Sequence, residues 1–290
     1  VDAPEEEVTE PEPAESTGRY SEAPQLAALV EAGELPPVDE RLPLEPFIVG
    51  PGSRIVEEHL DWEVGEYSKD DEVLPSVTID PEWSYPCQHG GYEWFLNTPV
   101  HHTGPITGGL CSSWGMNDDA TEYTFTLRKG MKWSDGEPVT TEDVAFAYND
   151  YLMNEQLTSN VGRRMRAGAK PAGEVMELEV VDDFTFKYTF AEPNARFLKV
   201  MRMGNLWGGY HNLLKPKHYL KQFHIDYTPA EDLQPLLDDE GLSQEEWYRL
   251  CLDREWTGGN CGNEGIGFPT LTPWQIKESP EDLIIMERNP

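Results

Sequence analysis

The sequence has few basic residues and no long hydrophobic run. Its 290 residues include 22 Lys and Arg against 54 Asp and Glu, which gives a formal net charge of -32. The phosphate backbone of a nucleic acid would repel such a surface, which argues against nucleic-acid partners. No stretch approaches the roughly 18 uninterrupted apolar residues that a membrane helix needs. The charge suits either an ordinary solubilising surface, which we favour, or adaptation to high salt.

Motifs of common enzymes and metal centres are also missing. The sequence contains no G-x-S-x-G, H-E-x-x-H or P-loop pattern, and no Cys-x-x-Cys spacing for structural zinc. His101 and His102 are adjacent, so on an extended segment they point to opposite faces and rarely share one ion. With His89, they are expected to be solvated loop residues. We therefore expect no catalytic residue, no metal, no cofactor and no enzymatic activity.

Four cysteines allow three pairings, and the sequence cannot choose among them. Cys251 and Cys261 flank a short Gly-rich stretch and could close a disulfide loop that contributes about 2–3 kcal/mol by the chain-entropy model. Cys87 and Cys111 would then be the second possible pair. Oxidation is more expected if the protein works outside the cytoplasm.

Residues 122–151 predict a strand, a tight turn and a helix. Tyr123, Phe125 and Leu127 alternate with polar residues, as on a strand with one buried face. Ser134-Asp135-Gly136 has turn chemistry, because Gly tolerates positive φ and an Asp side chain can accept from the nearby backbone.

The helix is expected to begin after Thr140. This threonine can cap it, and Glu142 and Asp143 lie in the first turn, where carboxylates favour the positive end of the helix dipole. Arg128 and Asp135 could form a local ion pair that orders the preceding turn, worth under about 1 kcal/mol if exposed. Apolar residues at three- and four-residue spacing predict one buried helix face: Val144, Ala147, Tyr148, Tyr151 and Leu152.

This stretch, EYTFTLRKGMKWSDGEPVTTEDVAFAYNDY, closely resembles a signature of the family 5 extracellular solute-binding proteins. These are receptors of ABC importers for peptides, nickel or oligosaccharides. The resemblance continues in EVVDDFTFKYTFAEPN, which reads as a β-hairpin with Asp182-Asp183 in its turn, in the element PKHYL, and in the final ERNP. Structural roles within the signature are expected for Trp133, Asp135, Gly136 and Asp143.

The resemblance implies a mixed α/β fold of the periplasmic-binding-protein-like type II (cluster C) kind. Residues 1–17 are acidic and Pro-rich and are expected to form a disordered tether. Residues 18–62 should form a short helix, ending near Gly33, and an extended arm. Residues 63–290 should form the first lobe, incomplete, of a two-lobe protein. In the family, ERNP precedes the crossover into the second lobe, so we expect that lobe to be absent from this chain.

Several aromatic residues lie near glycines in predicted loops. Rings on the wall of a cleft can stack on sugars or line subsites for peptide side chains. The alternative for any one ring is packing in the core or on the surface. The candidate ligand-binding residues are Trp83, Tyr85, Tyr92, Trp94, Trp207 and Tyr210.

The function implied by the resemblance is that of the substrate-binding component of an ABC importer. The resemblance also implies that it works in the periplasm or at the cell surface, anchored to lipid through a removed N-terminal segment. From the residues alone, the lack of a signal peptide at the start fits either a cytosolic protein or one whose signal has been removed. Its partners would be a small-molecule ligand, a membrane permease and the missing C-terminal half of the receptor. Peptide is the family's commonest ligand, and oligosaccharide is the alternative, motivated by nine Trp. Two hypotheses come from other functional classes. One is a surface scaffold or adhesive lipoprotein, and the other is a secreted glycan hydrolase.

Overall fold

The computed structural model describes residues 19–48, 73–77, 93–97, 106–202, 210–255, 265–279 and 283–290. Its helices are α1 (Pro24–Glu31), α2 (Val38–Arg41), α3 (Thr141–Phe146), α4 (Phe197–Met201), α5 (Lys217–Leu220), α6 (Ala230–Asp239) and α7 (Trp247–Asp253). Its strands are β1 (Val73–Val77), β2 (Leu96–Asn97), β3 (Thr107–Gly108), β4 (Cys111–Met116), β5 (Glu122–Leu127), β6 (Glu177–Val180), β7 (Thr185–Thr189), β8 (Trp274–Glu278) and β9 (Leu283–Arg288). Within these residues, each helix is too short to cross a membrane. The predicted tether, residues 1–17, lies outside the described residues.

A four-stranded antiparallel sheet in the order β4-β5-β7-β6 carries the predicted strand and hairpin. On β5, Tyr123, Phe125 and Leu127 are buried while the alternate positions are not, which confirms the period of two. The hairpin between β6 and β7 is also confirmed. The Asp182 carboxylate orders its turn by accepting from the backbone N–H of Phe184 at 2.8 Å and of Thr185 at 2.9 Å.

Helix α3 begins where the sequence predicts. The Thr140 hydroxyl accepts from the Glu142 N–H at 3.2 Å, and the Asp143 carboxylate accepts from the Thr140 N–H at 3.1 Å, as in a capping box. The helix then widens into a π-helix over Ala147–Leu152, which the periodicity does not predict.

Two apolar clusters form the core of the described residues, and α3 with its π-helical continuation contributes to both. Val144, Tyr148 and Leu152 pack in the first cluster, which covers the four-stranded sheet. Phe146 and Tyr151 pack in the second cluster. The five residues predicted for one buried face are all buried, but Val144, Tyr148 and Leu152 pack in the first cluster and Tyr151 packs in the second.

The second cluster joins α6, α7 and an antiparallel sheet in the order β1-β9-β8. Helix α7 points Trp247, Leu250 and Cys251 inward. It follows a 3₁₀ turn over Gln244–Glu246, in which the Ser243 N–H donates to the Glu246 carboxylate at 3.0 Å.

The segment after α1 lies along residues 128–132. Gly33, with a φ of 72°, follows the end of α1 as predicted. The Leu44 N–H donates to the Lys129 carbonyl at 2.9 Å, and the Lys132 ammonium donates to the Glu40 carbonyl at 2.7 Å. These contacts place the extended arm beside the predicted tight turn.

Candidate ligand-binding site

Three walls, built from segments that are distant in the sequence, surround a half-open cleft of about 500 Å³. One wall is the turn at residues 131–136, which we call the signature turn. The second wall is residues 271–273 with residues 289–290, and the third is the arm at residues 34–36 and 41–43. We call this space the signature-turn cleft. Its volume lies within the range of small-molecule sites, about 300–1,000 Å³.

Asp143 joins three segments behind the signature turn. Its carboxylate accepts from the Trp133 indole N–H at 3.3 Å, the Thr140 N–H at 3.1 Å and the Lys217 N–H at 3.0 Å. Burial raises the pKa of Asp143 above its ordinary value, and these donors partly oppose the rise. The side chain therefore joins the turn, α3 and α5 through hydrogen bonds.

The other three signature residues with predicted structural roles lie in the turn itself, and those roles stay predictions. Trp133 is only 2% exposed, and its ring centroid lies 6.0 Å from that of Tyr210. Gly136 has a φ of 92°, which glycine adopts without strain. Asp135 lies at the cleft and its carboxylate is 2.7 Å from the His218 imidazole Nε2.

The predicted ion pair between Arg128 and Asp135 is wrong. The Arg128 guanidinium donates to the carbonyls of Gly109 at 2.6 Å and Glu45 at 2.7 Å, so it fixes the backbone of the arm. Asp135 pairs with His218 on α5 instead. Sequence proximity favoured the wrong partner, because α5 meets the turn only in the folded chain.

Tyr210 organises residues 270–273, which we call the threonine loop. Its hydroxyl accepts from the Leu271 N–H at 2.9 Å and lies 3.2 Å from the Thr270 hydroxyl. The Tyr210 ring is 0% exposed, and a ring without exposed surface cannot stack on a ligand in this conformation. Its predicted ligand-binding role stays a prediction, and the structure places it as a support behind the cleft wall.

Trp94 follows Glu93, whose carbonyl accepts from the Tyr210 N–H at 3.1 Å. Trp94 therefore lies close to Tyr210. The Trp94 side chain is 8% exposed, and its carbonyl accepts from the Leu110 N–H at 2.9 Å. Leu110 lines the signature-turn cleft, so Trp94 supports a lining residue. The other ring candidates, Trp83, Tyr85, Tyr92 and Trp207, lie outside the described residues, as do His89, His101 and His102.

Cys251 is a free and buried thiol in this structure. Its Sγ donates to the Phe223 carbonyl at 3.0 Å, and burial raises the pKa of the thiol to about 12. Cys111 is likewise free and buried. Their proposed partners Cys261 and Cys87 lie outside the described residues, so the pairings stay predictions.

Hydrogen bonds hold the walls of the signature-turn cleft to one another. The Ser134 hydroxyl accepts from the Thr270 N–H at 3.0 Å, and the Asn289 amide donates to the Thr270 and Thr272 carbonyls at 3.2 and 2.8 Å. These bonds fix the threonine loop between the signature turn and the end of β9. In the part of the chain that the structure describes, no group of three or more His, Cys, Asp and Glu residues could hold a metal ion.

Sequence reasoning missed the threonine loop, His218 and Asn289. The segment GFPTLTPW shows neither helical nor strand periodicity, so pattern analysis treats it as a connection. The one available signal was its density of Thr and Pro close to the final strand. That signal indicates a turn but does not identify its partners.

Replacing Gly136 by alanine is expected to lower the free energy of unfolding by about 1 kcal/mol, because an L-residue is strained at positive φ. Among the described residues, a Cβ at Gly136 would meet no heavy atom within 4 Å, so the effect should be conformational. Gly115→Ala is the matched control, since it also has open space but no positive φ. Equal urea-denaturation midpoints for the two variants would contradict the assignment.

Comparison with known proteins identifies the family of this chain. Residues 105–290 match the family model described as bacterial extracellular solute-binding proteins, family 5 Middle. The periplasmic alpha-galactoside-binding protein of Rhizobium meliloti (strain 1021) is 27% identical over 278 residues, covering 90% of this chain and 34% of that protein. The chain spans about a third of the length of the curated relatives it matches.

Two solved structures resemble the fold over most of the chain. An oligopeptide-binding protein OppA is 30% identical with a TM-score of 0.68, covering 94% of this chain and 38% of that one. The periplasmic binding protein MelB from Agrobacterium fabrum C58, in complex with stachyose, is 22% identical with a TM-score of 0.59, covering 93% and 37%. The second likeness concerns the fold alone. Both bear out the expected mixed α/β fold of a periplasmic binding protein.

Proposed function

Because the chain belongs to the bacterial extracellular solute-binding proteins of family 5, we propose that it forms the first lobe of the ligand-binding component of an ABC importer. The protein would work outside the cytoplasm and deliver its ligand to a membrane permease. It would bind rather than transform this ligand, with no cofactor. The observation that carries the proposal is the family match over residues 105–290, which includes the signature turn and the threonine loop.

Peptide is the ligand class that we propose first. The similarity to the oligopeptide-binding protein OppA supports it, because that likeness extends over 94% of this chain at 30% identity. A peptide offers backbone donors and acceptors, and the polar groups of the cleft wall suit such a ligand.

Oligosaccharide is the alternative ligand class. The relative that binds alpha-galactosides supports it, because it matches 90% of this chain. Sugar rings stack on exposed aromatic faces. Trp94 and Tyr210 are buried, so such stacking would have to come from rings other than these two.

The mechanism that we propose is closure of two lobes on a ligand between them. Contacts that the ligand makes with both lobes favour the closed state, which the permease would recognise. A ligand bound with micromolar affinity supplies about 8 kcal/mol in total, and part of it must offset the cost of closure. The signature-turn cleft would contribute one wall, and the second lobe would come from residues beyond this chain.

A thermal-shift screen of the full-length protein tests the function and separates the two ligand classes. One panel holds di- to pentapeptides, and the other holds stachyose and β-linked oligosaccharides. Stabilisation by one panel assigns the class, because a ligand that binds only the folded state raises the melting temperature. Stabilisation by neither panel contradicts both assignments and would favour a surface scaffold without a transport role. A negative assay on polysaccharides completes the test by excluding a glycan hydrolase.

Two tyrosine variants test where the ligand binds. Tyr210→Phe removes the hydroxyl that holds the threonine loop, so we expect about tenfold weaker ligand binding, which corresponds to about 1.4 kcal/mol. Tyr188→Phe is the control, because Tyr188 is equally buried and its hydroxyl has no hydrogen-bond partner among the described residues. Equal dissociation constants for the two variants would contradict a role of the threonine loop in ligand binding.

A further inference from the structure

A second cleft, with a volume of about 580 Å³, lies between the π-helix, α7 and the loop that follows the π-helix. It shares no lining residue with the signature-turn cleft. One part of its lining is apolar, from Leu152, Leu157, Met165 and Leu252. The polar part carries Thr158, Asn160, Arg163, Arg164, Asn212, Lys215 and Glu255.

The charge of this second cleft is unusual for so acidic a chain. Residues 156–173 contain four Lys and Arg residues and no Asp or Glu, although the whole chain has 54 acidic residues. Arg163 and Arg164 are exposed. Neither forms an ion pair within the described residues, whereas nearby Lys170 pairs with Glu192. Two cations that have no carboxylate partner among the described residues therefore line the same cleft.

The backbone that carries these arginines is held firmly. We call residues 161–173 the cationic loop. The Arg166 guanidinium closes it by donating to the carbonyls of Val161 and Gly173, both at 2.9 Å. The buried Asn194 amide donates to the carbonyls of Arg164 at 3.0 Å and Arg166 at 3.1 Å. These bonds hold the backbone that carries both arginines in place without a ligand, so binding need not pay the entropy cost of ordering this backbone.

The lining of the second cleft also contains a buried ion pair. Lys215 and Glu255 bond directly, with side chains only 7% and 8% exposed. The Lys215 ammonium also lies 4.7 Å from the centroid of the Tyr151 ring. Because Glu255 neutralises Lys215, Arg163 and Arg164 supply the net positive charge of the cleft, and the amides of Asn160 and Asn212 add neutral donors.

We propose that this second cleft binds a small molecule that joins an anionic group, a carboxylate or a phosphate, to an apolar body. The guanidinium groups of Arg163 and Arg164 bind the anion, since their planar forks match the oxygens of either group. The apolar side chains receive the rest of the ligand. Because this site is separate from the signature-turn cleft, it does not depend on the ligand class of the proposed receptor.

Isothermal titration calorimetry on the full-length protein tests the proposal with three probes that share a phenyl body. Phenylacetate and phenyl phosphate carry the two anions, and phenylacetamide is neutral. At a fixed ionic strength of about 0.15 M, where surface charges are screened over about 8 Å, an anion must be held by direct contact. We expect at least one anion to bind and the amide to bind at least tenfold more weakly. The tighter of the two anions identifies the headgroup.

Paired variants separate the cleft from the general charge of the surface. Arg163→Gln/Arg164→Gln should weaken binding of the anion at least tenfold, while Lys199→Gln/Lys277→Gln, which removes the same charge from exposed positions outside the cleft, should leave it unchanged. Equal affinity of the tighter anion and phenylacetamide, equal effects of the two double variants, or no binding of either anion would overturn the proposal. Each of these results leaves the thermal-shift test of the receptor function unaffected.

Discussion

Lys215→Met should lower the free energy of unfolding by about 3–5 kcal/mol, because it leaves the Glu255 carboxylate buried without its partner. The two groups bond directly and are almost fully buried. Water cannot replace the lost ammonium as it would at the surface. The expected result is a large drop in the urea-denaturation midpoint without a change in the slope of the transition.

The exposed pair of Lys170 and Glu192 provides the matched control. Its two groups lie 2.5 Å apart, but its side chains are 62% and 56% exposed. Lys170→Met should therefore change stability by under about 1 kcal/mol. In a double-mutant cycle, Lys215→Met/Glu255→Leu should recover most of the loss, because it removes the uncompensated charge. If Lys215→Met and Lys170→Met lowered the free energy of unfolding equally, the large contribution given to the buried pair would be contradicted.

Asp143→Ala is expected to have the second large effect, a loss of about 4 kcal/mol. It leaves the N–H groups of Trp133, Thr140 and Lys217 without their acceptor, and each buried unsatisfied donor costs about 1–3 kcal/mol. The three bonds join the signature turn, the start of α3 and α5. Loss of the carboxylate should therefore loosen one wall of the signature-turn cleft as well as lower the stability.

Two further variants test the assignment of Asp143. Asp182→Ala removes an exposed carboxylate that accepts from two backbone amides, and it should lower the free energy of unfolding clearly less than Asp143→Ala.

In Asp143→Asn the charge is absent. Because burial raises the pKa of Asp143 in the folded state, the folded protein binds more protons than the unfolded chain between the ordinary and the raised value. The free energy of unfolding of the natural protein should fall as pH rises through that window.

Asp143→Asn should lack this part of the pH dependence. Urea denaturation from about pH 3 to pH 7 measures it, since this range begins below the ordinary carboxyl pKa. Identical pH profiles for the natural protein and Asp143→Asn, or equal losses in Asp143→Ala and Asp182→Ala, would contradict the role given to this junction.

Local elements could be predicted from the sequence because their causes are local. The alternation on β5, the capping by Thr140 and the turn at Asp182 each depend on residues within a few positions. Tertiary partners could not be predicted in this way. The Lys217 N–H that bonds to Asp143 lies 74 positions away, and no periodic pattern connects them.

The acidic composition makes the buried ion pair of Lys215 and Glu255 impossible to predict from the sequence. Among 54 acidic residues, nothing in the sequence marks Glu255 as the partner of Lys215. Tyr210 shows a different limit of prediction from the sequence. An aromatic residue beside glycines fits a ligand-facing ring and a buried support equally well, and only its burial against the threonine loop distinguishes them. The family resemblance identified the fold but not these contacts.

Small-angle X-ray scattering of the full-length protein tests two-lobe closure most directly. The measurement compares the radius of gyration without ligand and with a saturating amount of the ligand that the thermal-shift screen identifies. Closure of two lobes predicts a smaller radius of gyration in the bound state. An unchanged radius with bound ligand would contradict the proposal that this chain supplies one lobe of a closing receptor.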